Sequence, residues 1–195
     1  MKITVVTPTI FRPSLRKVVE EVAKCLLPGD EHIIVRDGET HARDKSMLDS
    51  PPMSEYTVYY EAGTQESRYG NFQRDCAIQI AAGDCVVFID DDDLPNKVAY
   101  DILHEENADP NTIHMFSMQN TGSGYVYHST DGLGFGQVGT PMCVVPNRKD
   151  LPNWCDTNGA DSDNIFINRV AAMPGMWIKH HPEIICYVPR HSCGK

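Results

Sequence analysis

The chain has 195 residues, 41% of them hydrophobic and 23% charged, with a formal net charge of −10. That length suits one domain around a single core, and no linker-like stretch divides it. The acidity argues against a general grip on nucleic-acid phosphates or an anionic membrane, and the apolar runs are too short to span a bilayer.

The opening MKITVVTPTIF is interrupted too early by Pro8 to act as a secretory leader. Seven cysteines with no CxxC pair predict reduced thiols in a cytoplasmic protein, most of them filling the core. Ile3 to Thr7 predicts a first strand. Leu15, Val18, Val19, Val22 and Leu26 then recur at helical spacing, with Ser14 placed to cap the helix and Pro28-Gly29 to stop it. Ile33 to Val35 predicts a second strand, which makes the first 36 residues a strand-helix-strand unit with parallel strands. Tyr56 to Tyr60 follows as a third strand. A helix is expected over 71–82, ended by Gly83 in a left-handed cap, and then a fourth strand from Cys85 to Ile89. Leu94, Val98, Ile102 and Leu103 predict another helix, and Ile113 to Met118 another strand. The span 121–139 carries six glycines and predicts loops or hairpins, able to close over a bound ligand. Met142 to Val145 and Ile184 to Val188 predict late strands around a helix from Ile165 to Ala172. His180 and His181 are expected in a loop before Pro182. The fold class is α/β, mixed in its second half.

The stretch CVVFIDDDDLP sets four carboxylates, Asp90 to Asp93, directly after a buried strand. In an open α/β sheet ligands bind outside the carboxyl ends of parallel strands, and Asp37, after the second strand, is expected on that same edge. Adjacent carboxylates repel by roughly 3–4 kcal/mol per close pair at an effective dielectric near 20. A hard cation, Mg²⁺ or Mn²⁺, offsets this and usually carries substrate phosphates, so a nucleotide diphosphate is the expected companion. The competing structural reading is an acidic cap on the helix that begins near Asn96.

The segments ITVVTPTIFRP, IIVRDGE and NFQRDCAIQIAAGDCVVFIDDDDL, with the later SDNIFINR and VPRHS, resemble GT-A fold glycosyltransferases of the family 2 type over most of the chain. The resemblance implies one catalytic domain over 1–195, with a mostly parallel central sheet flanked by helices. Its nucleotide-sugar-binding half would be Rossmann-like and span 1–93, and its acceptor-side half 94–195. It implies metal-dependent, inverting transfer from a nucleotide-diphosphate sugar to an acceptor hydroxyl. Asp90 and Asp92 would form the DxD pair, and Asp90 and Asp91 would count among the donor-binding residues. Asp92 or Asp93 would touch the metal, and His191 would complete the metal or diphosphate site. Thr9 and Asp37 would line the nucleoside pocket, and Arg74 would reach the base or the diphosphate. Asp163 would be the catalytic base, with Asp161 a second carboxylate beside it. The pattern departs from the family at Ile10-Phe11, at Arg36-Asp37 and at Ser162-Asp163. Trp154 is a candidate contact for the acceptor.

The acceptor could be a saccharide, a lipid-linked group or a modified nucleic acid. Hydroxylated DNA bases would need a basic groove built from Arg12, Arg16, Lys17, Arg43, Lys45 and Arg68. A nucleotidyltransferase would need a glycine-rich, lysine-bearing phosphate loop, and TPTIFRPS contains no glycine. A noncatalytic module that binds a nucleotide sugar or metal is the remaining alternative.

Overall fold

The computed structural model describes residues 1–38, 42–62, 70–156 and 161–189. In chain order its elements are β1 (Ile3–Thr9), α1 (Leu15–Cys25), β2 (Glu31–Asp37), α2 (Ser46–Asp49), β3 (Thr57–Ala62), α3 (Asn71–Ile80), β4 (Cys85–Phe88), β5 (Leu94–Pro95), α4 (Lys97–Glu105), β6 (Thr112–Asn120), β7 (Val126–Tyr127), β8 (Cys143–Pro146), α5 (Ser162–Ala171) and β9 (Trp177–Val188). One sheet runs in the order β3-β2-β1-β4-β8-β6-β9-β5, with β7 added to β6 as a hairpin. β3, β2, β1 and β4 are mutually parallel, as are β6 and β9, while β8 runs antiparallel between β4 and β6.

Every residue of β1 and β4 is buried, as expected of central strands covered on both faces. On one face Val6, Val86 and Phe88 pack with Ala77 and Ile78 of α3 and with Phe166 and Val170 of α5. On the other, Val5 and Val87 pack with Val18 and Val22 of α1 and with Tyr100 and Leu103 of α4. Four described cysteines, at 25, 85, 143 and 186, are buried free thiols in these layers. Burial pushes Cys25 and Cys85 up to about 12, so they stay protonated and unreactive. No described helix is long and apolar enough to cross a membrane.

Several local expectations are corrected. Ser14 starts α1 through its backbone carbonyl, which accepts from Lys17 and Val18, and its side chain makes no cap. Leu94 leaves the α4 pattern to pair with β9, and Asn96 caps α4 by accepting from the Val98 amide at 3.3 Å. α3 ends at Ile80, and Gly83 has no left-handed backbone. A Cβ on Gly83 would lie 2.7 Å from the Thr4 amide nitrogen, so this glycine is required by close approach to β1. His180 and His181 lie inside β9, a strand of 12 residues that continues through Pro182.

Candidate active site

β1 delivers Thr9 to the carboxyl edge of the sheet, and the chain then turns sharply through Phe11, whose φ is 54°. This left-handed conformation is costly for a bulky side chain and persists only where surroundings impose it. The Phe11 amide donates to Thr9 Oγ1 at 2.8 Å. The buried ring meets Tyr59 edge-on at 6.2 Å and lies under the Arg36 guanidinium at 5.5 Å. The turn swings Arg12 over the acid run, where its Nη1 reaches Asp91 Oδ1 and Asp92 Oδ2, both at 2.9 Å. Thr9 Oγ1 donates to Asp91 Oδ2 at 2.7 Å.

On the other side, α3 starts at Gly70, left-handed at φ 78°. A Cβ there would sit 2.8 Å from Pro8 Cβ, so only glycine lets this helix start against the end of β1. One turn on, buried Arg74 sends Nη2 to Asp90 Oδ1 at 2.5 Å. Its guanidinium lies 4.9 Å over the Trp154 ring, which stacks on Phe166 at 4.0 Å and meets Phe88 edge-on at 5.2 Å. Asp75, next on α3, fastens this segment by accepting from the amides of Trp154 and Cys155. Trp154 is fully buried, so it is the floor beneath Arg74 and makes no contact with an acceptor.

The four carboxylates are therefore treated unequally. Asp90 faces Arg74, Asp91 is clamped by Thr9 and Arg12, and Asp92 shares Arg12. Asp93 is 2% exposed, and its Oδ1 has no hydrogen-bond partner among the described residues. Burial, then the charges of Asp90 and Asp92, push the Asp93 carboxyl well above the usual range. Burial likewise raises Asp91, against the opposing Thr9 hydrogen bond and Arg12 charge. Among the described residues, two guanidiniums thus stand against four acids.

A cavity of about 360 Å³ opens on this edge, large enough for a small ligand. Thr9, Asp37, Asp90, Asp91 and Asp92 all line it, together with Arg12, Gln73 and Gly70. Asp163, in the first turn of α5, accepts from the Thr140 amide at 3.2 Å. Burial raises its carboxyl above the usual range. Arg74 opposes that shift and Asp90 adds to it, which ties Asp163 electrostatically to the acid edge. Asp161 precedes α5 and caps it with its backbone carbonyl only. His191 and Arg68 lie outside the described residues.

Arg12 is a partner of the acid run that the sequence pattern does not single out, although its place three residues after Thr9 on one turn is a usable signal. Gln73 and Gly70 were missed because only the left-handed start of α3 brings them to the cavity.

A scan against protein-family models finds no match, and a search of curated proteins finds none either. Among solved structures, residues 1–349 of TarS from S. aureus align with 97% of this chain at a TM-score of 0.71 and 16% identity. The same TarS fragment in complex with UDP-GlcNAc aligns with 100% of the chain, also at 0.71, with 15% identity. The mannosyltransferase PcManGT from Pyrobaculum calidifontis, in complex with GDP-Man and Mn²⁺, aligns with 95% at a TM-score of 0.60 and 16% identity. The chain spans 60% of the TarS fragment and 56% of the mannosyltransferase. It has the GT-A fold, as the sequence resemblance implied.

Proposed function

We propose that this protein transfers a sugar from a nucleotide-diphosphate sugar to an acceptor hydroxyl, with inversion at the anomeric carbon and with Mn²⁺ or Mg²⁺ held at the acid run. The observation that carries this reading is the shared cavity, where Thr9 and Asp37 from β1 and β2 meet Asp90, Asp91 and Asp92 after β4. The two structural neighbours named with UDP-GlcNAc and with GDP-Man and Mn²⁺ support the donor class and the cation.

The residues present fit a cation. Asp93 is 2% exposed, its Oδ1 has no hydrogen-bond partner among the described residues, and it stands beside three further carboxylates. Asp92 and Asp93 would hold the ion, with His191 as the further candidate. Bound there, the ion supplies positive charge to the departing diphosphate. Asp37 and Thr9 orient the nucleoside, and Arg74, locked between Asp90 and the Trp154 ring, supports the diphosphate side. Asp163 is the base. It takes the proton as the acceptor oxygen bonds to the anomeric carbon and the bond to the phosphate oxygen breaks on the opposite face. Its raised proton affinity suits that role. Asp161 is the alternative carboxylate.

A second reading keeps the reaction and places the hydroxyl on a polyanion such as a modified nucleic acid. The Arg43 amide donates to the Ile10 carbonyl at 2.8 Å and the Asp44 amide to the Phe11 carbonyl at 2.9 Å, which holds the segment carrying exposed Arg43 and Lys45 against the turn whose Ile10 and Arg12 line the cavity.

The test is incubation with UDP-, GDP-, CDP- and TDP-sugars, Mn²⁺ or Mg²⁺, and saccharide or hydroxymethylated DNA acceptors. Nucleoside diphosphate release and product configuration are read by NMR. Turnover with one donor that disappears in Asp92→Asn and Asp163→Asn supports the assignment. Turnover unaffected by both substitutions refutes it, and donor binding without turnover on any acceptor favours a noncatalytic module.

A further inference from the structure

The other half of the sheet buries a polar cluster that the proposed reaction does not use. Glu106 follows the last turn of α4, His114 is the third residue of β6, and His181 lies in the middle of β9. One ligand atom from each of the three lies within 4.8 Å of the others, and no other grouping of three such side chains occurs among the described residues. His114 Nδ1 and His181 Nε2 are 3.0 Å apart. Two nitrogens bound to one tetrahedral zinc at 2.0–2.1 Å lie about 3.3–3.4 Å apart. The imidazole pair therefore needs to open by only a few tenths of an ångström, and the half-buried carboxylate has to close the rest.

The rings are held in place before any ligand arrives. β6 and β9 pair His114 with Lys179 and Met115 with His180, which sets His181 beside Phe116. The His181 and Phe116 rings stack at 4.3 Å with planes 9° apart, and His114 and His181 stack at 5.3 Å. Both imidazoles are at most 6% exposed. Burial pushes His114 down to about 4 and lowers His181 as well, so both are neutral near pH 7 and carry usable lone pairs. One of the two facing nitrogens carries a hydrogen in the resting pair, and binding requires that ring to shift it to its other nitrogen. Lys179 Nζ sits on Glu106 Oε1 at 2.5 Å, which leaves the second carboxylate oxygen for a ligand. The Lys179 side chain is 39% exposed and can retreat to solvent.

We infer that Glu106, His114 and His181 form a binding site for a borderline divalent transition ion of the Zn²⁺ class, with three protein ligands and an open fourth position. Two imidazoles and one carboxylate select such ions over Mg²⁺ or Ca²⁺, which prefer all-oxygen shells. The site clips the end of α4 to β6 and β9, and it is independent of the function proposed for the acid edge.

The test uses the full chain, stripped with chelator and titrated with Co²⁺, whose visible absorption reports tetrahedral coordination, followed by displacement with Zn²⁺. One Co²⁺ per chain with the tetrahedral band is expected, with affinity at that band lower by on the order of 100-fold in Glu106→Gln and His181→Gln, tighter in Lys179→Met and unchanged in Asp92→Asn. Circular dichroism checks folding. If His181→Gln does not fold, Glu106→Gln decides, since its half-exposed side chain lies at a helix end. No tetrahedral Co²⁺ band, or a band unchanged in Glu106→Gln, overturns the site.

Discussion

The two halves of the sheet place their polar chemistry differently. In the half built from β3, β2, β1 and β4, ionisable groups cluster where strands end, around a cavity, and arginines arriving from loops and from α3 partly offset them. In the half built from β6 and β9, two histidines sit inside paired strands, stacked and neutral. Charge at a strand end can be answered by a loop or a mobile ligand, so the first arrangement suits a site that binds and releases. A group inside a strand is fixed by its neighbours, so the second suits a permanent clip.

The largest effect that sharpens this contrast is at Asp163. Asp163→Asn should lower kcat by about 10²–10⁴-fold, the usual worth of a positioned base, with little change in donor KM. Steady-state kinetics with the identified donor checks it. Parallel loss of donor binding would make Asp163 a structural residue.

Next is Trp154, which links the site to the core. Trp154→Ala removes the floor beneath Arg74 and should destabilise the fold by about 3–5 kcal/mol, read by denaturant titration. A loss under about 1 kcal/mol would mean that the aromatic stack does not support Arg74.

Gly70→Ala forces a side chain into a left-handed position against Pro8 and should cost about 1–2 kcal/mol. Because α3 must move away from β1, donor affinity should fall with stability, which calorimetry on the same variant reads.

The last effect is a slope. His32, fully buried in β2 with Nε2 2.9 Å from Thr7 Oγ1, is pushed down to about 3 by burial. Its folded pKa lies below its unfolded one, so its contribution is complete above pH 6.5 and drains away as pH falls toward 3. His32→Gln should therefore flatten the stability profile between pH 6 and 4 by about 1.4 kcal/mol per pH unit. An unchanged slope would mean that the folded chain protonates His32.

The N-terminal half was largely legible because its strands are apolar runs bounded by turn residues. The carboxyl-end rule places Asp37 and the acid run on one edge, and Thr9 joins them only through the family resemblance. What stayed hidden depends on backbone conformations that sequence pattern does not encode. Arg12 reaches the acids only through the left-handed turn at Phe11, and Gly83 acts through contact with Thr4 and has no positive φ. Pro182 and two histidines look like a loop in the sequence, yet register shifts against β6 carry β9 through them. Trp154 was misplaced because stacking on a sugar and stacking beneath an arginine leave the same trace in sequence.

The proposed transfer requires the acid edge to bind a nucleotide diphosphate. Its most direct test is a thermal-shift panel of UDP, GDP, CDP and TDP with their sugars, each with Mn²⁺, Mg²⁺ or chelator, on wild type and Asp92→Asn. Stabilisation by one nucleotide is expected, present with metal and lost with chelator and in the variant. No stabilisation by any nucleotide with either metal would contradict it and leave the acid run as a structural cap.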